Sequence, residues 1–326
     1  MAASLTLETQ LAQVRELSAR PIADVSDREL AVLLASKHSA VVQRAAALAG
    51  QGRRESLSDD LAAAFERFMI HPERTDRGCL AKFAIVNTLC GLDHRDAAIY
   101  LRGVRHVQRE PSFGGAVDTA GELRGRCAIA LAECNYPDAM LEIAPLLADA
   151  DVPSRVGGIR AVAAFNSVEA AALLRFKLLS GDREDLVMAE CTAGLLAIEP
   201  EKHIDFLASF LESAPRDGRM GVLAALGESR QPAALTILRR NYESARTPEG
   251  RKAALEAIAV LRVDGAEVFL LDLVTQSLHP RAREVIESLQ PRKGDSRFRA
   301  RLAEALTTRD DAFLTRYACE VLDAPH

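Results

Sequence analysis

Apolar residues recur along this chain with the spacing of a single helix face. Pairs such as Leu223 with Leu226 and Leu255 with Ile258 follow a polar position by four and seven residues. This spacing predicts amphipathic α-helices that bury one face. Short polar stretches of about two to six residues, with Asp, Gly or Pro among them, separate most of these segments. The pattern therefore predicts pairs of helices joined by short turns.

The predicted helix pairs repeat with a period of 32 residues. Four positions in the second helix of successive pairs stand 32 apart: Arg155, Val187, Arg219 and Arg251. The register slips by one residue on either side, where Arg124 precedes the series and Ala282 continues it. A chain of 326 residues is also long for one compact core. Repeated units that stack on their neighbours are the expected organisation.

The segment LLADADVPSRVGGIRAVAAF, with Asp in the turn and Arg early in the second helix, resembles a HEAT repeat. This resemblance extends over nearly the whole chain after residue 26 and implies an all-α fold, a right-handed α-solenoid of about nine HEAT-like helical hairpins. It also implies that the second helices line a concave face. Residues 1–25 are expected to form an N-terminal capping helix, and residues 26–326 the solenoid.

One stretch interrupts the repeat pattern, an irregular insertion near residues 105–118. Its QREPSFGG sequence has no evident packing role, and long loops in compact repeats are often functional. Thr119 and Glu122, beside Asp118, predict a capping box for the helix that follows. For the rest of the insertion three interpretations stay open. Phe113 anchors a binding partner, it packs over neighbouring helices as a structural plug, or the segment is a simple insertion without a binding role.

The recurring arginines also have two interpretations. They form either a basic row for an anionic partner or ion pairs with turn acids such as Asp149, Asp182 and Asp217. Val187 occupies the equivalent position in one repeat and breaks the row. The predicted partner-binding residues comprise the insertion and the arginine row: Arg109, Glu110, Phe113, Gly114, Gly115, Arg124, Arg155, Arg219 and Arg251.

Composition narrows the class of partner. The formal net charge is -5, only 5% of residues are aromatic, and Trp is absent. A net negative charge argues against a protein whose whole surface is positively charged for binding nucleic acid. No apolar run approaches the length of a membrane span, and the first residues do not resemble a signal peptide, so a cytoplasmic location is expected. The six cysteines lie in helical segments without CxxC spacing and are expected to be buried, reduced thiols.

Catalytic HEAT-like proteins offer two comparisons. The alkylpurine DNA glycosylases have a helix-lined groove, but sheltering a nucleotide requires aromatic rings that are scarce in this chain. The HEAT-type metal hydroxylases have His-Glu dipeptides, and no His of this chain precedes Glu. The sequence therefore predicts a non-catalytic scaffold that binds a protein partner on its concave face, with no metal or cofactor. The alternative is a nucleic-acid-binding protein that resembles the glycosylases.

Overall fold

The computed structural model describes residues 6–213 and 218–323, and these residues are almost entirely α-helical. Twenty α-helices and one two-stranded sheet form within the described ranges. The prediction of an all-α chain with repeated helices is confirmed at this level. The chain separates into two compact units between Phe165 and Asn166, a division that the repeat pattern did not predict.

The N-terminal unit contains ten α-helices and two strands in its described part. The helices are α1 (Leu7–Ala19), α2 (Asp27–Leu34), α3 (Ser39–Gln51), α4 (Ser58–Phe68), α5 (Pro72–Thr75), α6 (Leu80–Gly91), α7 (Ala97–Val104), α8 (Gly121–Glu133), α9 (Ala139–Ile143) and α10 (Val152–Ala164). Strands β1 (Arg109–Ser112) and β2 (Gly115–Asp118) pair antiparallel between α7 and α8.

Side-chain caps set the beginnings of several of these helices. Before α2, the Ser26 hydroxyl accepts from the Glu29 backbone N–H, and the Glu29 carboxylate accepts from Ser26 in return. These hydrogen bonds from Ser26 lower the pKa of Glu29 to about 2. The predicted N-terminal helix forms as α1, which packs on α3 and buries Val14 and Leu17.

The core of the N-terminal unit lies along the row α3, α6, α8 and α10, in which each helix packs on the next. Helices α8 and α10 approach most closely at Gly125 and Gly157. A Cβ atom at Gly157 would lie 2.2 Å from the Gly125 Cα, so only glycine fits there. This close approach brings the turns before the two helices together, which matters for the polar cluster described below.

The C-terminal unit contains ten further helices in its described part. These are α11 (Val168–Ser180), α12 (Asp185–Ile198), α13 (Pro200–Ser213), α14 (Arg219–Glu228), α15 (Pro232–Ser244), α16 (Pro248–Val260), α17 (Asp264–Gln276), α18 (His279–Ser288), α19 (Ser296–Arg309) and α20 (Ala312–Asp323).

Here the 32-residue period corresponds to a row of packed second helices. Helix α12 packs on α14, α14 on α16, α16 on α18 and α18 on α20, while α11, α13, α15, α17 and α19 supply the first helices of the pairs. The apolar positions that defined the period, among them Leu226, Leu255 and Ile258, are fully buried. The periodic pattern therefore identified the buried face of α14 and α16 correctly.

Candidate functional site

The insertion is a β-hairpin rather than an irregular loop. Ser112 pairs with Gly115, so Phe113 and Gly114 form the turn between β1 and β2. Gly114 has a φ angle of +97°, a backbone conformation that residues with a side chain rarely adopt. This explains why a glycine stands at the tip. The Phe113 side chain is fully exposed, so the interpretation of Phe113 as a core plug is wrong. Arg109 and Gly115 are also exposed.

The base of the hairpin is locked into the N-terminal unit by Gln108, which is 1% exposed. Its side-chain N–H group donates to the Asp76 carbonyl at 2.8 Å and to the Glu110 carboxylate at 2.6 Å. Glu110 also accepts from the Gly78 backbone N–H at 2.7 Å and from the Thr119 hydroxyl. Burial alone would raise the pKa of Glu110, but these hydrogen bonds outweigh burial and lower it. Glu110 therefore holds the base of the hairpin in place through these hydrogen bonds.

The predicted capping box at Thr119 and Glu122 is wrong. Helix α8 has Ala120 as its N-cap and no side-chain capping bond. The Thr119 hydroxyl instead donates to the hairpin, to the Gln108 carbonyl as well as to Glu110. The sequence pattern predicted the wrong partner for Thr119 because its hydroxyl donates to acceptors at the base of the hairpin, about ten residues earlier in the chain. A capping pattern considers only the next few residues of the helix.

Arg124 is the centre of a buried polar cluster and is only 4% exposed. Its guanidinium donates to both carboxylate oxygens of Asp149, at 2.9 and 3.1 Å, and to Asp118 at 2.6 Å. It also donates to the Ser154 hydroxyl and the His106 carbonyl. All three nitrogens of the guanidinium donate hydrogen bonds within the protein. Arg124 is therefore a structural residue, and its prediction as a partner-binding residue is wrong.

The other arginines of the row are also engaged. Arg155 donates to the Asp149 and Ala150 carbonyls of the preceding turn. Arg219 donates to Asn241 at 3.0 Å, and Arg251 forms a two-point ion pair with Glu284.

Of the turn acids proposed to pair with the row, Asp149 binds Arg124, whereas Asp182 forms an ion pair with Lys177 at 2.8 Å. Asp217 lies outside the described residues. Val187 is buried. The arginine row thus makes local contacts that tie turns and helices together, and within each unit its members are not arranged as an open anion track.

The cysteines follow the expectation only in part. Cys79, Cys127 and Cys191 are buried, and burial raises the pKa of Cys79 and Cys191 to about 12. Cys90 and Cys134 are only half-buried and Cys319 is exposed, so the expectation of six buried thiols is wrong at these three positions. Within residues 6–213 and 218–323, no group of three or more His, Cys, Asp or Glu side chains has an arrangement suited to a metal ion.

A surface that the sequence analysis did not identify lies on the second helices of the C-terminal unit. It is a groove of about 620 Å³ across α12, α14 and α16, here called the α12–α14–α16 groove. Its floor consists of small residues: Ala189, Ala193, Gly221, Ala224, Ala225, Ala253 and Ala257. Leu186 and Met220 rise beside the floor and are 54% and 41% exposed.

Close helix packing explains the smooth floor of the groove. A Cβ atom at Gly221 would lie 1.9 Å from the Asp185 carbonyl oxygen, and one at Gly227 would lie 2.6 Å from the Ala257 carbonyl oxygen. Glycine at both positions lets α14 approach α12 on one side and α16 on the other. A sequence signal for the floor does exist, because Ala189, Gly221 and Ala253 are 32 residues apart.

The lining of the groove is acidic. Asp185, Glu190, Glu228 and Glu256 are its charged residues, and no Lys, Arg or His is found among the described residues that line it. Glu256 has Lys252 as an ion-pair partner one turn away, at 3.7 Å. The groove therefore combines apolar shoulders, a flat floor and negative charge, which suits an apolar segment with positive charge.

Comparison with known proteins gives no family assignment. No protein-family model matches the chain, and no curated protein matches it. A crystal structure of an engineered protein is similar over 98% of this chain and 96% of its own, with 16% sequence identity and a TM-score of 0.38. In the part of the chain that the structure describes, no helix has the length and apolar character needed to span a membrane.

Proposed function

We propose that this chain is a non-catalytic, cytoplasmic scaffold of the right-handed HEAT-like α-solenoid type, and that it binds a protein segment in the α12–α14–α16 groove. The observation that carries the proposal is the groove itself. It presents exposed Leu186 and Met220 beside a floor of alanine and glycine, on the helices that the repeat pattern defines as second helices.

The size and chemistry of the groove favour a helical peptide segment. About 620 Å³ accommodates a few apolar side chains, and a flat alanine floor allows the backbone of a helix to lie close. The carboxylates of Asp185 and Glu228 favour lysine or arginine at the edge of that segment. A phosphate backbone would be repelled by the same carboxylates, so the groove does not favour the nucleic-acid alternative.

The hairpin tip is proposed as a second contact. Phe113 is a fully exposed aromatic side chain on a turn whose base is held by Gln108 and Glu110. A backbone whose base is already held loses less conformational entropy when its exposed aromatic side chain binds, and exposed aromatic side chains are frequent interface anchors. No catalytic role is assigned to any residue of either surface.

Substitution of a floor residue tests the groove. Ala224 is exposed in the interior of α14, and Ala224→Arg fills the groove and introduces a positive charge. Ala303→Arg, at an exposed alanine in the interior of α19, is the matched control. The probe is a fluorescent amphipathic helix of leucine and lysine, about 18 residues or five turns long, and anisotropy measures its binding.

We expect the wild-type protein and Ala303→Arg to bind the peptide with similar affinity, and Ala224→Arg to bind it at least about tenfold more weakly. Equal binding by all three proteins, or no saturable binding by the wild type, would refute the groove as a peptide site. A parallel titration with DNA and RNA at two salt concentrations tests the alternative, which requires tight binding that weakens steeply with salt.

A further inference from the structure

A second concave site lies in the C-terminal unit, apart from the groove. It is a cavity of about 790 Å³ between the first half of α11 and the beginning of α13, here called the α11–α13 cavity. Its polar lining includes Ser167, Arg175, Lys202 and His203, and its apolar lining includes Val168, Ala172 and Ile198. None of these residues lines the α12–α14–α16 groove.

Arg175 brings a positive charge to this cavity that no described carboxylate neutralises through an ion pair. One of its terminal nitrogens donates to the His203 Nδ1 atom at 2.8 Å and to the Lys202 carbonyl at 2.9 Å. Its guanidinium lies over the Phe206 ring, 4.6 Å from the ring centre. These contacts hold the guanidinium in place, yet they use only two of its five N–H groups.

The hydrogen bond from Arg175 determines the tautomer of His203. A guanidinium only donates, so the Nδ1 atom must be the acceptor and the neutral ring carries its proton on Nε2. Burial, together with the charge of Arg175, lowers the pKa of His203 and keeps the ring neutral. His203 is only 5% exposed.

Two buried N–H donors at this site have no acceptor within the described part of the chain, the His203 Nε2–H and the Arg175 Nε–H. A buried donor without an acceptor destabilises a protein, and native proteins usually satisfy such groups. Lys202 adds a second cation, which is paired with Glu199 at 2.7 Å. With His203 neutral, Arg175, Lys202 and Glu199 leave the lining with one excess positive charge.

We propose that the α11–α13 cavity binds a small organic oxyanion, a carboxylate or phosphate ester with a compact apolar body. The oxyanion accepts hydrogen bonds from the free edge of the Arg175 guanidinium and from His203 Nε2–H, after a small movement of these side chains uncovers the two nitrogens. The apolar body contacts Val168 and Ala172. This site does not depend on the proposed function of the groove.

Titration calorimetry with three small probes tests the proposal. Benzoate and phenyl phosphate are the two oxyanions, and benzyl alcohol is the neutral compound with the same ring. We expect saturable binding of at least one oxyanion, and binding of benzyl alcohol weaker by about tenfold or more, because a charged hydrogen-bond pair contributes strongly to affinity. Preference for benzoate or for phenyl phosphate distinguishes the carboxylate from the phosphate class.

Variants show whether the bound probe lies at this cavity. Arg175→Gln is expected to weaken oxyanion binding about tenfold or more. Arg239→Gln is the matched control, because Arg239 also lies over a phenylalanine ring, 4.5 Å from the centre of Phe269. It should leave binding unchanged, as should Ala224→Arg in the groove.

His203→Gln provides a second variant that retains an N–H donor, and circular dichroism with thermal unfolding shows that each variant is folded. The His203→Gln variant should bind the oxyanion with an affinity within a few fold of that of the wild type, whereas His203→Leu should lose binding. The proposal is overturned if neither oxyanion binds the wild type, if the alcohol binds equally well, or if Arg239→Gln weakens binding as much as Arg175→Gln.

Discussion

Arg124 in the N-terminal unit and Arg175 in the C-terminal unit show how the surroundings of a guanidinium determine its role. Arg124 is almost fully buried and pairs with Asp118 and Asp149, so its charge is compensated within the protein. Arg175 is half-buried, bonds to a neutral histidine and a carbonyl, and forms no ion pair with a described carboxylate. The first arrangement stabilises the fold, and the second leaves an attraction for an anion.

The largest expected effect tests the structural side of this comparison. Arg124→Met removes the counter-charge of two partly buried carboxylates and is expected to lower the free energy of unfolding by about 3 kcal/mol or more. Arg251→Met is the control, because the pair of Arg251 with Glu284 is more exposed and should contribute much less stability. Urea denaturation of both variants measures the difference. Equal losses would show that the burial of the Arg124 cluster has no energetic consequence.

Gln108→Ala should have the next largest effect, because it removes the buried amide that joins the hairpin base to Asp76. We expect a loss of about 2 kcal/mol, since the Asp76 carbonyl and the Glu110 carboxylate each lose a donor. Replacement of residues 108–116 by a short linker should therefore also destabilise the N-terminal unit. Thermal unfolding of the two variants tests this, and an unchanged transition would show that the base is not a structural element.

Acid should weaken the Arg124 cluster through protonation of Asp118. Burial by itself would raise the pKa of Asp118, but hydrogen bonds from Ala120, Gln108 and Arg124 lower it overall. A carboxyl group with a depressed pKa in the folded state stabilises the fold above its unfolded pKa of about 3.9, and this contribution is lost as the pH falls through the folded value.

The stability difference between wild type and Arg124→Met should therefore be largest above about pH 5 and should shrink on acidification below about pH 4. Urea denaturation at a series of pH values measures it. A difference that is independent of pH down to strongly acidic conditions would mean that Asp118 does not contribute through its charge.

Arg175→Met should cost less stability than Arg124→Met, about 1 kcal/mol. No described carboxylate loses an ion-pair partner, and the methionine side chain keeps contact with the Phe206 ring. The losses are the hydrogen bonds to His203 and to the Lys202 carbonyl. Urea denaturation in the absence of added anions gives the value, and a loss as large as that of Arg124→Met would assign Arg175 a mainly structural role.

The smallest effect is expected at the tip of the hairpin. Phe113→Ala should change the free energy of unfolding by no more than about 0.5 kcal/mol, because the ring is fully exposed and buries no surface within the chain. Thermal unfolding compares Phe113→Ala with Gln108→Ala, because Phe113 is exposed at the tip of the hairpin and Gln108 is buried at its base. A marked destabilisation by Phe113→Ala would contradict the exposed position of the ring.

The sequence by itself determined the helical character of the chain, its 32-residue period and the face that α14 and α16 bury. These features are local, because an apolar residue at every third or fourth position specifies both the helix and its inner side. Leu226, Leu255 and Ile258 could be placed in the core from spacing alone. Even the small residues of the groove floor follow this period, at Ala189, Gly221 and Ala253.

Only the tertiary structure decided which polar groups meet. Asp149 reaches Arg124 across 25 positions of the chain, and His203 reaches Arg175 across 28. The Thr119 hydroxyl likewise donates to Glu110 on strand β1, a partner that the local capping pattern could not predict. Hydrogen bonds and ion pairs depend on distances of about 3 Å, and these distances follow from how helices and turns pack, not from residue spacing. For this reason the helical framework was predictable, whereas the sequence left open whether a turn acid compensates Arg124 and did not indicate the uncompensated charge of Arg175.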